Sequence, residues 1–270
     1  MKIEAGTPAA SSDLTHEGPI PRGVALLRLL ATAGRKGAAL TVLAQRAGLP
    51  NSTVHRLLAQ LIKLRLVMQL DDRQAYVIGP LAYELGLVAA QQFDIRQLCR
   101  PAMERLAAES AETVYLVQRS GMEAVCIDFE QGPGTLRVVT LQMGSRRPLG
   151  LGAGGLAILA AMPPDEIEEV LAVVMGSIEK EWRFTPQELR ASLQEAQAQG
   201  YAVIKNRITP GVTAFGMSFK DSLGQVFGAV TVAGLNNRLT PARITALRQG
   251  LRQAVQGIER ALRSHQWARH

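Results

Sequence analysis

Between Pro21 and Leu66 hydrophobic residues recur every three to four positions, the spacing that gathers side chains on one face of an α-helix. Val24, Leu27 and Ala31 in "PRGVALLRLLATAG" mark a first helix, which Gly34 and Gly37 end. Leu40, Leu43, Ala44 and Ala47 form a second, short apolar face before "GLP". Val54, Leu57, Leu58 and Leu61, at i, i+3, i+4 and i+7, form a third. Pro50 keeps the second helix from running on, and Asn51 or Ser52 stands where a side chain caps the third by accepting from its free N–H groups. The period then shifts to two. "VMQLDDRQAYVI" predicts two short strands around the turn Asp71-Asp72-Arg73. Helix, tight turn, helix and antiparallel wing make a winged helix-turn-helix of residues 20–79, preceded by a flexible tail, 1–19.

In "GPLAYELGLVAAQQF", Leu81, Leu85 and Val88 share a face, which predicts a linker helix over 80–93. A second domain, 94–270, opens with an amphipathic helix marked by Ile95, Leu98, Ala102 and Leu106. Strand-like runs follow at "TVYLVQ", "AVCIDF" and "LRVVTLQ" (Leu136 to Gln142). Two helices come after the glycine-rich "RPLGLGAGGLAIL"; the second starts at Pro164, with Asp165 and Glu166 in the turn where the helix dipole favours acids. Another helix has Thr185 as N-cap, Pro186 at its first position and Gly200 as terminator. "YAVIK", "VTAFGMSFK" and "QVFGAVTVAG" predict three more strands, the last two joined by a turn at Asp221 to Gly224. Ile244, Leu247, Leu251, Val255, Ile258 and Leu262 line a long final helix. Helices around a largely antiparallel sheet place the chain in the α+β class and fit a ligand-sensing domain better than a doubly wound enzyme.

Charge sharpens this division. Ile20 to Pro80 holds nine Lys and Arg against two acids, the whole excess of +7, while the rest of the chain balances. A basic block without Glu points to a polyanion-binding module, so double-stranded operator DNA is the expected partner. The third helix is the reader: Ser52, Arg56, Gln60 and Lys63 lie opposite its apolar face, with Asn51, Thr53 and His55 near its start. Short polar residues there approach bases and phosphates, while Arg bonds guanine bidentately and Lys meets phosphate. Arg73 and Gln74 on the wing reach the backbone or minor groove.

Other chemistry finds little support. With 47% hydrophobic and 20% charged residues, 270 residues suffice to bury real cores. Cys99 and Cys126 lack metal-ligand or CxxC spacing and read as buried thiols. No run of about 18 apolar residues occurs, and Glu4, Asp13 and Glu17 interrupt any leader-like core, so no membrane partner and a cytoplasmic location are expected. His16, His55, His265 and His270 all lie away from the second domain's centre, and HExxH, GxSxG and GxxxxGK[ST] are absent. Glu166, Glu168 and Glu169 read as a solvated helix face. No enzyme, no cofactor and no metal site are therefore expected.

Gly150-x-Gly152-x-x-Gly155 superficially matches a dinucleotide loop. Its context argues against one: the nearest strand-like run ends near Gln142, "MGSRRP" intervenes, no βαβ unit follows, and the first acids open a new helix. What remains is a helix start whose small residues let an anion approach backbone N–H groups.

"LTVLAQRAGLPNSTVHRLLAQL" followed by "YVIGPLAYELG" resembles the winged helix-turn-helix and linker of IclR-type transcriptional regulators. "RPAMERLAAESAETVYLVQRSGMEAVCID", "LRVVTLQMGSRRPL", "GYAVIKNRITPGV" and "VFGAVTVAGLNNRLTPARI" continue the resemblance in order, over roughly residues 20 to 265. It implies a GAF-like effector domain that binds a small molecule and controls oligomeric state, dimer or dimer of dimers, and DNA contact. It further implicates Leu149, Ala153, Gly154, Ala214, Thr231 and Ala233 in the effector site. The chain departs from that family's common pattern with Gly150 for His, Ala214 for Cys, and Ile204-Lys205-Asn206-Arg207 where acids are frequent. Those departures argue against a bound metal. Lys205 and Arg207 then form a cationic rim suited to a carboxylic acid with an aromatic or aliphatic body, or are solvated loop charges. The expected function is a ligand-responsive DNA-binding regulator. The alternatives are a protein-binding winged-helix scaffold and a nucleotide-dependent enzyme using Gly150 to Gly155.

Overall fold

A computed structural model describes residues 18–33, 36–70, 74–93, 95–133, 140–182 and 184–264. The chain forms two compact units that divide between Asp94 and Ile95.

The first unit runs α1 (Pro19–Ala33), β1 (Ala38–Ala39), α2 (Leu40–Ala47), α3 (Asn51–Lys63), β2 (Val67–Leu70), β3 (Ala75–Ile78) and α4 (Pro80–Phe93). Leu26 and Leu30 of α1, Leu43 of α2, and Val54, Leu57 and Leu58 of α3 meet in one core. The inward face of α1 differs from the expected one. Leu26, Leu29 and Leu30 are buried, whereas Val24 is 44% exposed and Ala31 lies on the surface. Apolar residues surround most of this helix, and the side with three leucines removes more area from water. The expected cap of α3 is also absent: Pro50 is the N-cap, no side chain caps, and Asn51 is already helical. Pro50 has φ −58° and its carbonyl accepts from Val54 N, so the turn closes one residue early and leaves the Asn51 and Ser52 side chains on the surface.

The wing gains a strand that the pattern does not reveal. β1 pairs with β3, giving the order β1-β3-β2, all antiparallel. Gly37, at φ +66°, makes this possible, because a Cβ there would lie 2.5 Å from the Tyr76 carbonyl oxygen. The turn Asp71 to Arg73 lies outside the described residues. α4 is tied to α3's exit by Leu81 N donating to Arg65 O and by an Arg65–Glu84 ion pair of 3.0 Å.

The second unit comprises α5 (Ile95–Ser110), β4 (Thr113–Ser120), β5 (Glu123–Gln131), β6 (Arg146–Pro148), α6 (Gly152–Ala160), α7 (Pro164–Trp182), α8 (Pro186–Gln199), β7 (Ala202–Lys205), β8 (Val212–Lys220), β9 (Val226–Leu235), a short 3-10 turn and α9 (Pro241–Ser264). Among the described residues its six strands follow the order β6-β5-β4-β9-β8-β7, every pairing antiparallel. Strand alternation sorts the side chains onto two faces. Val114 and Leu116 of β4, with Val230 and Val232 of β9, join α5 and α9. Tyr115 and Val117, with Ala229 and Ala233, join α6, α7 and α8. The unit is therefore a helix, sheet, helix sandwich.

Its helix ends follow the local chemistry. Thr185 and Glu188 form a capping box at the start of α8, and Gly200, at φ +74°, closes that helix. Of the strand expected at "LRVVTLQ", residues 136–139 lie outside the described residues, and Thr140 to Gln142 is irregular. A strand that the sequence pattern does not suggest forms at Arg146–Pro148, where Arg146 and Arg147 pair with Val125 and Ala124. A strand thus stands directly before the glycine-rich stretch, contrary to expectation. What rules out a βαβ unit is the antiparallel pairing throughout the sheet.

Candidate nucleic-acid interface and ligand cleft

On α3 the buried stripe of Val54, Leu57, Leu58 and Leu61 turns the polar residues outward. Asn51, Ser52, His55, Arg56, Gln60 and Lys63 are exposed, and Thr53 is half-buried. Among the described residues neither Arg56 nor Lys63 has an ion-pair partner. Gln74 is exposed beside the wing strands at φ +47°, and Arg73 lies outside the described residues.

In the second unit a cleft opens between the start of α6 and the sheet. Its enclosed volume is about 50 Å³, and about 620 Å³ when the space open to solvent at its mouth is included. Glycines bring its walls together. Gly150 and Gly152 hold φ values of +91° and +74°, turning the chain from β6 into α6. A Cβ on Gly154 would lie 2.5 Å from Val117 Cγ2, and one on Gly216 of β8 would lie 2.3 Å from the Ala153 carbonyl oxygen. The helix therefore begins almost on the sheet. Leu151 caps α6 without a side-chain hydrogen bond, so its first N–H groups keep their donor capacity and its dipole presents positive charge at the cleft.

Of the effector residues implied by resemblance, Ala153, Gly154, Ala214, Thr231 and Ala233 line this cleft together. Leu149 does not; it is fully buried in the core behind, where its N–H donates to the Met122 carbonyl. Lys205 and Arg207 do not form the expected rim either. Lys205 sits on the exposed side of β7, while Arg207 pairs with Glu188 and lies 4.7 Å over the Phe184 ring. Period-two alternation explains this, because Ile204 faces the cleft and Lys205 must point away.

The cation of the cleft is Arg147, which the sequence reading missed. Among the residues lining it, Arg147 alone carries charge. Its Nη2 donates to the Thr140 carbonyl at 2.9 Å, its Cζ stands 5.7 Å from the centroid of the Trp182 ring, and its Nη1 lies 3.4 Å from where a Gly152 Cβ would be. Among the described residues it has no carboxylate partner. Arg146, one residue earlier, faces the other way onto Glu123 at 2.7 Å and Ser120 at 2.8 Å. Burial pulls the Arg147 guanidinium down to about 10, which leaves it charged at neutral pH. Nearby, the Tyr115 hydroxyl accepts from Thr140 N at 2.9 Å, and Thr231 is buried in the cleft wall. The rest of the lining is mostly apolar, including Val117, Leu151, Ile204 and Val212. No cluster of His, Cys, Asp and Glu suited to a metal occurs among the described residues, and none of their helices is long and apolar enough to cross a membrane.

A basic winged helix with an exposed reading face, joined to a sheet domain with a mostly apolar cleft, defines a DNA-binding regulator that senses a small molecule. Residues 19–71 match the IclR helix-turn-helix domain, and residues 87–260 match the bacterial transcriptional regulator IclR C-terminal domain. The chain belongs to the IclR family of bacterial transcriptional regulators. It is 29% identical to the HTH-type transcriptional repressor AllR of Klebsiella pneumoniae, over 95% of each chain. It is also 29% identical to the HTH-type transcriptional regulator KipR of Bacillus subtilis, over 83% of this chain and 89% of KipR. In fold it resembles an IclR homolog of Microbacterium hydrocarbonoxydans complexed with 4-hydroxybenzoate, with a TM-score of 0.70, 23% identity and coverage of 92% and 100% of the two chains.

Proposed function

We propose that this regulator binds a small organic acid in the cleft beneath α6 and thereby changes its affinity for operator DNA. The observation that carries the reading is the start of α6, a source of free N–H donors and positive dipole, opening into an otherwise largely apolar cleft. The bound 4-hydroxybenzoate of the Microbacterium homolog supports an acid with an aromatic body. On the DNA side, Asn51, Ser52, Thr53, His55, Arg56, Gln60 and Lys63, with Arg73 and Gln74 on the wing, read the operator. One reader helix covers too few bases for genomic specificity, so a symmetric dimer or dimer of dimers reads a pseudo-palindrome. Tyr83, Leu85, Leu87 and Val88, exposed on α4, support self-association. A ligand that binds two arrangements of the protein unequally shifts the equilibrium between them, and so shifts DNA affinity. The protein does this without catalysis and in the cytoplasm.

Fluorescence anisotropy of labelled DNA from the protein's own upstream region, titrated at several salt concentrations with and without a panel of organic acids, tests this reading. Affinity should fall steeply with salt, and at least one acid should shift it. Salt-independent binding with no response to any acid would leave a protein-binding scaffold. Saturable micromolar binding of NAD or ATP in equilibrium dialysis would instead support the nucleotide enzyme.

A further inference from the structure

We infer that Arg147 is the residue that selects effectors by charge, and that the cleft takes a monocarboxylate with an apolar body, its carboxylate held between the Arg147 guanidinium and the start of α6. This rests on the effector reading above and names the chemistry of that same site. A guanidinium carries five N–H donors, and the bond to Thr140 uses one. Arg147 is half-buried, and shielding even part of a cation from water without a counter-charge is unfavourable; the cleft lining contains no acid to offset it. Its neighbour Arg146 shows the ordinary solution, a paired carboxylate at 2.7 Å. Arg147 has no such partner among the described residues, so the missing negative charge arrives with the ligand.

Geometry fixes where that charge goes. Nη1 lies beside Gly152, in the first turn of α6, so two positive sources converge on one point at the cleft's edge. A planar carboxylate matches both, accepting from the guanidinium fork on one side and from backbone N–H groups on the other. Away from this point the lining is mostly apolar, with Val117, Leu151, Val212 and Ala233 beside the hydroxyls of Thr209 and Thr231 and no second cation. A second carboxylate there would be buried without a counter-charge, which disfavours dicarboxylates. Neutral amides of the same shape leave Arg147 without a counter-charge.

Isothermal titration calorimetry of the full chain with benzoate, hexanoate, benzamide and succinate tests the assignment. The native protein should bind benzoate or hexanoate at least about 10-fold more tightly than benzamide or succinate. Arg147→Gln should remove that preference, weakening monocarboxylate binding about 10- to 100-fold while benzamide stays within about 2-fold. Arg147→Lys keeps the charge without the fork and should fall between; it also serves if the glutamine variant does not fold. Arg207→Gln, outside the cleft, should change nothing. Ala214→Leu, which fills the cleft from the sheet, should abolish binding of every probe. Benzoate binding that Ala214→Leu removes but Arg147→Gln leaves intact would overturn the role of Arg147 and keep the cleft as the effector site. Binding that neither variant affects would overturn both. Failure of the native protein to prefer either monocarboxylate over benzamide would overturn the charge selection.

Discussion

Gly216→Ala isolates the contact on which the cleft depends. Gly216 lies on β8 between Ala202 of β7 and Thr231 of β9, and a methyl group there would sit 2.3 Å from the Ala153 carbonyl oxygen, 2.5 Å from its carbon and 3.0 Å from Gly154 N. Ordinary carbon to oxygen contact begins at about 3.3 Å, so the start of α6 must retreat by about 1 Å. Every obstructing atom is backbone, and none escapes by rotating a side chain. The cost therefore falls at the upper end of the overpacking range, about 3 kcal/mol. For a unit of this size that corresponds to a melting temperature lower by roughly 6 to 12 °C. Trp182 lies at the end of α7 in the second unit, so intrinsic fluorescence reports its unfolding. Gly176→Ala is the control: Gly176 is mid-helix in α7 and a Cβ there meets nothing within 4 Å, so alanine should stabilise by about 0.5 to 1 kcal/mol. Gly216→Ala should also weaken effector binding, because retreat of α6 moves its N–H groups away from the ligand. Melting within a degree of the native protein would refute the close approach of α6 to the sheet.

Arg56→Ala should cost about 1 to 3 kcal/mol of operator binding and relax specificity at one base position, measured by anisotropy over single-base operator variants; uniform weakening would reassign Arg56 to phosphate. Burial pushes the thiols of both Cys99 and Cys126 up to about 12. Neither should react with a disulfide reagent at pH 8 in the native protein, and both should react after denaturation. Because these folded-state values lie above the ordinary 9.0, the thiols' contribution to stability is complete below pH 9 and is lost as pH rises toward 12, which urea titrations across that window would detect. Thr185→Ala removes the capping box of α8 and should destabilise the second unit by about 1 kcal/mol, with Thr185→Ser restoring most of it.

Much of this fold was legible because strong periodicity and strong punctuation coincide. The stripe of Val54, Leu57, Leu58 and Leu61 leaves one possible inward face, and Thr185, Pro186, Glu188 and Gly200 bracket α8 at both ends. Legibility failed where either signal was weak. In α1 an almost continuous apolar run allowed several stripes, and only packing against α2 and α3 selects Leu26, Leu29 and Leu30. β1 is two alanines long and exists because Tyr76 and Ala75 offer it an edge, a partner far away in sequence. The exposed apolar residues of α4 satisfy a helical pattern equally well whether or not anything in the same chain covers them.

The site was half legible, for a related reason. Family resemblance located Ala153, Gly154, Ala214, Thr231 and Ala233, but it could not orient charges that the family pattern does not contain. Lys205 was assigned to the cleft from its neighbourhood, although alternation along β7 sends it to the opposite side from Ile204. Arg147 was overlooked because "MGSRRPLG" has the composition of a loop, while Arg146–Pro148 within it is an edge strand that turns one arginine to an acid and the next into the cleft. The glycine pattern follows the same logic. Gly150 and Gly152 adopt left-handed backbone, whereas Gly154 admits the sheet to within contact of α6, and the combination imitates a phosphate loop without its βαβ frame. Glycine spacing records where the backbone must be bare. The adjoining cation, Arg147, adds a fixed positive charge beside a helix start that by itself attracts any anion.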